Sequence, residues 1–121
     1  MQNPYQNYMQ KAGETMTPAE RTAAVYDRCI TELQKAVYYI DNNSIPEAHK
    51  SITKVQDIID FLEGHLVEKY EISNSFAELY SFLRQELLTA NIKKDTEKLK
   101  EIIPYFQNLK DSFTEMSKKG M

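Results

Sequence analysis

Apolar residues in this chain recur by threes and fours in four separate stretches, the spacing that lines one face of a helix. The first runs through Thr22, Tyr26, Cys29, Leu33, Ala36 and Ile40, and the second through Ile45, Ala48, Ile52, Val55, Ile59, Leu62 and Leu66. A third takes Phe76, Tyr80, Leu83, Leu87 and Ala90; a fourth takes Leu99, Ile102, Phe106, Leu109, Phe113 and Met116. Each stretch opens on helix-start chemistry. Thr17-Pro18-Ala19-Glu20 combines a capping hydroxyl, a proline at the first helical position and a glutamate three residues on. Ser44-Ile45-Pro46-Glu47 and Ser75-Phe76-Ala77-Glu78 repeat that logic, and Asp95 is a good cap for the fourth helix. Asp41-Asn42-Asn43 ends the first helix, while Gly64 and the aperiodic Val67 to Ile72 predict that the second frays between Glu63 and Glu68.

The segment Ala90-Asn91-Ile92-Lys93-Lys94-Asp95 is a hinge between the last two helices. Asn91 tolerates the left-handed backbone that closes a helix, and Asp95 starts the next. So short a link forces an antiparallel pair, which makes Asn91, Ile92 and Asp95 architectural residues. Pro104 falls inside the fourth helix, but the apolar phase continues across it; a kink near Glu101 is expected, not a break. The predicted fold is all-α, an antiparallel up-down-up-down four-helix bundle over residues 17–121. Helices of roughly 16 to 25 residues would each span ~25 to 37 Å. Residues 1–16 are polar, carry Pro4 and Gly13 and hold no sustained period, so they read as a flexible N-terminal arm.

Composition narrows the function classes. A chain of 121 residues fits one domain. Its net charge of −3, with both signs mixed, provides no basic footprint for nucleic acid. No apolar run approaches the ~18 residues of a membrane span, and Met1-Gln2-Asn3-Pro4-Tyr5 lacks the charged start of a secretory signal. The single Cys29 excludes an internal disulfide and suits a reducing cytoplasm.

Nothing reads as a catalytic, cofactor or metal site. His49 and His65 both lack a glutamate three residues earlier, so the Glu-x-x-His pattern of di-iron bundles is missing. A phosphotransfer reading of His49 is weaker than that of a plain surface histidine. Cys29 lies on the inward seam and packs as a small apolar group. Lys93 and Lys94 read as a solvated turn before an anion site. The surplus is apolar: Ile58, Leu79 and Ile103 flank the seams, while Phe61 and Phe82 fall at outward positions, with Tyr38, Tyr39 and Tyr105 adding rings. Such positions predict a groove for an amphipathic partner segment, or a surface over which the arm folds back through Tyr5 and Tyr8.

Several short stretches also resemble a known family. They are Asn3-Pro4-Tyr5 with Tyr8, Thr17-Pro18, Val25-Tyr26-Asp27, Lys54-Val55-Gln56-Asp57-Ile58-Ile59, Leu79-Tyr80-Ser81-Phe82-Leu83, and the hinge Ala90 to Thr96. In order and spacing they resemble the bacterial flagellin export chaperone family FliS along nearly the whole chain. The resemblance implies a cytoplasmic, non-enzymatic chaperone without cofactors. It would bind the disordered C-terminal segment of flagellin, prevent premature polymerisation, and deliver it to the flagellar type III export gate. Other flagellar regulators are possible partners, and a monomer or weak dimer is expected. The resemblance also implies an arm, anchored by Tyr8, lying over the groove. Departures include the slim Arg21-Thr22-Ala23-Ala24 start of the first helix, Phe113 where a tryptophan is common, and Pro104. Two other readings stand beside it: an adaptor working through self-association or a non-flagellin partner, and the phosphotransfer bundle.

Overall fold

A computed structural model describes residues 16–70 and 74–120, with side chains described for 16–64 and 77–120. All regular structure among the described residues is helical: α1 (Pro18–Asp41), α2 (Ile45–Tyr70), α3 (Asn74–Lys93) and α4 (Thr96–Lys118). α1 packs on α4 and α2, α2 on α3, and α3 on α4, closing a ring of four helices.

The start of α1 follows its local sequence. Thr17 is extended at φ −68°, ψ 161°, and its hydroxyl accepts the Glu20 N–H at 3.1 Å, with Pro18 at the first turn. The α1–α2 and α3–α4 turns share one construction. Asn43 and Lys94 each take a left-handed backbone, φ 58° and 50°. The next residue then reaches back five positions, Ser44 N–H to Tyr39 O at 2.6 Å and Asp95 N–H to Ala90 O at 3.2 Å. That same residue starts the following helix, since Ser44 and Asp95 carbonyls accept from Ala48 and Leu99 at 3.1 Å. The Asp95 carboxylate also accepts the Lys98 N–H at 3.2 Å, as a cap should.

Three local expectations are corrected. The left-handed residue closing α3 is Lys94, not Asn91, and helix continues to Lys93. A lysine there costs about 1 kcal/mol of backbone strain. The Lys94 ammonium offsets it by donating to the Asn91 carbonyl and Oδ1 at 2.5 and 2.7 Å. Secondly, α2 passes through Gly64 to Tyr70 without fraying, because a single exposed glycine weakens a helix by only ~1 kcal/mol. Thirdly, α3 is already helical at Asn74, which places Ser75 inside the first turn and not at its cap. Pro104 stays within one helix, as the unbroken phase requires. It is exposed, so the Lys100 carbonyl that loses its donor lies toward water.

The seams form the core. Tyr26, Cys29, Leu33 and Ala36 of α1 are fully buried with Ile52, Val55 and Ile59 of α2, Tyr80, Leu83 and Leu87 of α3, and Leu99 and Phe106 of α4. Ile45 departs from the expected seam at 38% exposure, because it opens α2 at the end of the bundle. The side chains of Leu66 and Phe76 lie outside the described residues. The slim start of α1 is used in packing: Ala19 and Ala23 are buried in the cluster that holds Phe106 and Phe113, and Thr22 is buried beside them in sequence. The Tyr26 ring sits 6.3 Å from Phe106 and 5.6 Å from Phe113. Across the diagonal, the Tyr26 and Tyr80 hydroxyls hydrogen-bond to each other. Burial raises the Tyr26 phenol far above its ordinary range and pushes Tyr80 up to about 12, the bond from Tyr26 partly opposing the latter.

Candidate functional site

The off-seam apolar residues fall on different sides of the ring. On α3, Leu79 and Phe82 lie two turns and one turn before Glu86, whose carboxylate crosses to Lys98 of α4 at 2.6 Å; they share the α4-facing side. Phe82 meets Tyr105 of α4 there, with ring centroids 5.2 Å apart at 57°. Between these helices lies an open hollow of about 330 Å³ lined by Phe82, Glu86, Glu101, Ile102 and Tyr105. Phe82 is 42% exposed, and Leu79 is half-buried against the core.

Ile58 and Phe61 occupy another side. They share a helical face with Lys54, whose ammonium lies 3.9 Å from Glu32 of α1, so they flank the α1–α2 seam. Ile58 is half-buried, whereas Phe61 is 64% exposed. Ile103 lies seven residues before Lys110, which reaches Asp27 of α1 at 2.8 Å; it packs half-buried on the α1 side of α4. The five predicted groove residues thus divide among three inter-helix surfaces, with Leu79 and Phe82 on one, Ile58 and Phe61 on a second, and Ile103 on a third. Tyr5 and Tyr8 lie outside the described residues.

The hinge residues also separate. Asp95 is a cap. Ile92 projects from the last turn of α3 at 74% exposure, four residues after the exposed Leu88, which the apolar period did not single out. Asn91 is 7% exposed and is the hub of a polar network. Its Nδ2 donates to Gln56 Oε1 at 3.0 Å, and its Oδ1 faces His49 Nδ1 at 3.1 Å and accepts from Lys94. The Lys94 ammonium also stands 3.4 Å from His49 Nδ1, so the imidazole edge meets both Asn91 and Lys94. The ring a phosphotransfer reading would use is therefore tied to α3. One signal for Asn91 was available: it falls in phase with Leu83 and Leu87, where a polar residue needs partners when buried.

Glu32 is a further residue that pattern reasoning missed. It is buried beside Leu33, with Oε1 3.7 Å from Lys35 and 3.9 Å from Lys54. No periodicity singles out a carboxylate on a flank. Cys29 is buried, and burial pushes its thiol up to about 12, leaving it protonated at neutral pH. Among the described residues no group of His, Cys, Asp or Glu is arranged to hold a metal ion. No described helix is long and apolar enough to cross a membrane.

A family model described as "Flagellar protein FliS" matches residues 1–120. This chain belongs to the FliS family. It is 33% identical over 113 residues to the flagellar secretion chaperone FliS of Bacillus subtilis (strain 168), a match covering 93% of this chain and 85% of that protein. It is 22% identical over 115 residues to the flagellar secretion chaperone FliS of Salmonella typhimurium (strain LT2), with the same coverage of 93% and 85%.

Proposed function

We propose that this chain is a cytoplasmic, non-enzymatic chaperone for flagellin. It binds the disordered C-terminal segment of newly made flagellin, prevents its premature polymerisation and assists its passage into the flagellar type III export apparatus. The observation that carries this reading is the FliS match over residues 1–120, with two relatives named as flagellar secretion chaperones. The surface chemistry supports it. Phe82 and Tyr105 between α3 and α4, and Phe61 beside α1–α2, are large exposed rings on separate flanks. A client that wraps around the bundle uses several such flanks, whereas one compact helix would use one. Ordering a disordered client costs ~2–5 kcal/mol of the gross contact energy, which keeps the complex releasable.

Isothermal titration of the full chain with a flagellin C-terminal peptide tests the reading. Binding near 1:1 is expected, and deletion of residues 1–16 leaves it undiminished because the arm competes with the client. Absence of heat and of any mobility change on mixing defeats it.

A further inference from the structure

Resting on the chaperone reading above, we infer that the hollow between α3 and α4 is a socket for one cationic side chain, an arginine or lysine carried on an apolar segment of the client. Three features define its occupant. The Phe82 and Tyr105 rings, 5.2 Å apart and tilted, both line the hollow, and aromatic rings attract a cation brought over them. Ile102 supplies an apolar wall against which the hydrocarbon stem of such a side chain can lie. Glu86 and Glu101 supply carboxylates at the rim, so an anion is repelled and a guanidinium gains charge-assisted hydrogen bonds. At about 330 Å³ the hollow stands at the small end of ligand clefts, with room for a long side chain and not for a helix.

The chain's own cation half-fills the role. Lys98 Nζ lies 2.6 Å from Glu86 Oε2, and this hydrogen bond, with the charges of Glu86, Glu101 and Asp95, raises the lysine above its ordinary pKa. The local field therefore favours positive charge. Glu86 is already taken, whereas Glu101, exposed on the α4 rim, forms no ion pair with a described residue. An arriving cation meets Glu101 first and can share Glu86 with Lys98. A neutral apolar side chain would cover the carboxylates without partnering them, which costs binding energy.

The test is a double-mutant cycle by calorimetry on the full chain. The probe is a flagellin C-terminal peptide, native or with arginines replaced by citrulline and lysines by acetyl-lysine. Glu101→Gln should weaken the native peptide about tenfold. It should leave the neutralised peptide unchanged, so the two losses do not add. Tyr105→Leu, which keeps an apolar wall but removes the ring face, should cost about fivefold for the native peptide alone. Asp57→Asn, on the solvent face of α2 diagonal to α4, serves as the long-range control; its small loss should be additive. Thermal midpoints within a degree or two of the parent establish that the variants fold. Additive losses at Glu101, or equal binding of native and neutralised peptides, overturn the socket while leaving the chaperone reading intact. A doubled mass by light scattering that Phe82→Ala abolishes assigns the hollow to a second copy and likewise overturns it. No binding of the native peptide to the parent chain overturns both.

Discussion

The α1–α4 and α3–α4 interfaces set two solutions side by side on one helix. α3 and α4 are joined by the Lys94-Asp95 turn, yet theirs is the thinnest packing in the ring. α1 and α4 share no connection and pack most extensively. The difference lies in side-chain size. α1 presents Ala19 and Ala23 alongside Tyr26, and the bulky Phe106 and Phe113 of α4 fill the space those small residues leave. On its other side α4 offers Tyr105 to Phe82, two rings that meet at the surface and leave a hollow behind them. A short turn decides which helices are neighbours and in which direction they run. How closely they pack, and hence where apolar surface is left over, is decided by the volumes that face each other.

The largest test of this contrast is Phe106→Ala against Phe82→Ala. Emptying the buried position should destabilise the fold by about 3–5 kcal/mol through lost transfer energy and a residual cavity. The same truncation at Phe82 should cost about 1 kcal/mol or less, because its ring is already partly in water and loses chiefly the Tyr105 contact. Chemical denaturation of both variants measures the gap; equal losses would mean that the thin interface carries as much of the fold as the thick one.

Smaller in size is Tyr80→Phe, which leaves the buried Tyr26 hydroxyl without its partner at a cost of about 1–3 kcal/mol. The double variant with Tyr26→Phe should recover part of that loss, since two matched apolar rings need no bond. A pH series probes the same core. Tyr80 is raised from 10.0 to about 12 and Cys29 from 9.0 to about 12, both chiefly by burial. Between those limits the unfolded chain releases protons that the folded chain retains. Stability is therefore fully present below pH 9 and falls from there toward pH 12. Denaturant midpoints read across that range should decline; a flat profile would mean that these groups are not shielded.

The smallest effect has the opposite sign. Gly64 lies inside α2, exposed, and nothing stands within 4 Å of where a Cβ would be. Gly64→Ala should raise stability by about 0.5–1 kcal/mol, seen as a modest rise in thermal midpoint.

Much of the fold was legible because helical spacing and caps are local. Thr17 and Asp95 cap where their residue types said they would, and the described seam residues from Tyr26 to Phe113 are buried except Ile40 and Ile45 at the α1–α2 turn. The hinge shows where local reasoning ended. By propensity its spelling pointed to Asn91 as the left-handed residue, and the structure uses Lys94 instead. The choice fell on Lys94 because His49 and Gln56, more than thirty residues earlier, hold the Asn91 side chain inside the bundle. The candidate surface was legible as a set of residues but not as an arrangement. Phe61 and Phe82 both lie outward by count, and only the ring order of the helices separates them.

The one-dimensional pattern thus determined four helices, their inward faces and the reversal at each short turn, since each rests on neighbours within a few residues. The identity of the family was carried there as well, in motifs spread from Asn3 to Thr96. Tertiary structure alone decided that Tyr26 and Tyr80 bond across the diagonal, that Glu32 and Asn91 are buried, and that Phe82 pairs with Tyr105 over a hollow edged by carboxylates. Those outcomes depend on which distant side chains share a cross-section of the bundle. Residue volumes summed around a ring of four helices settle that, and no local rule encodes it.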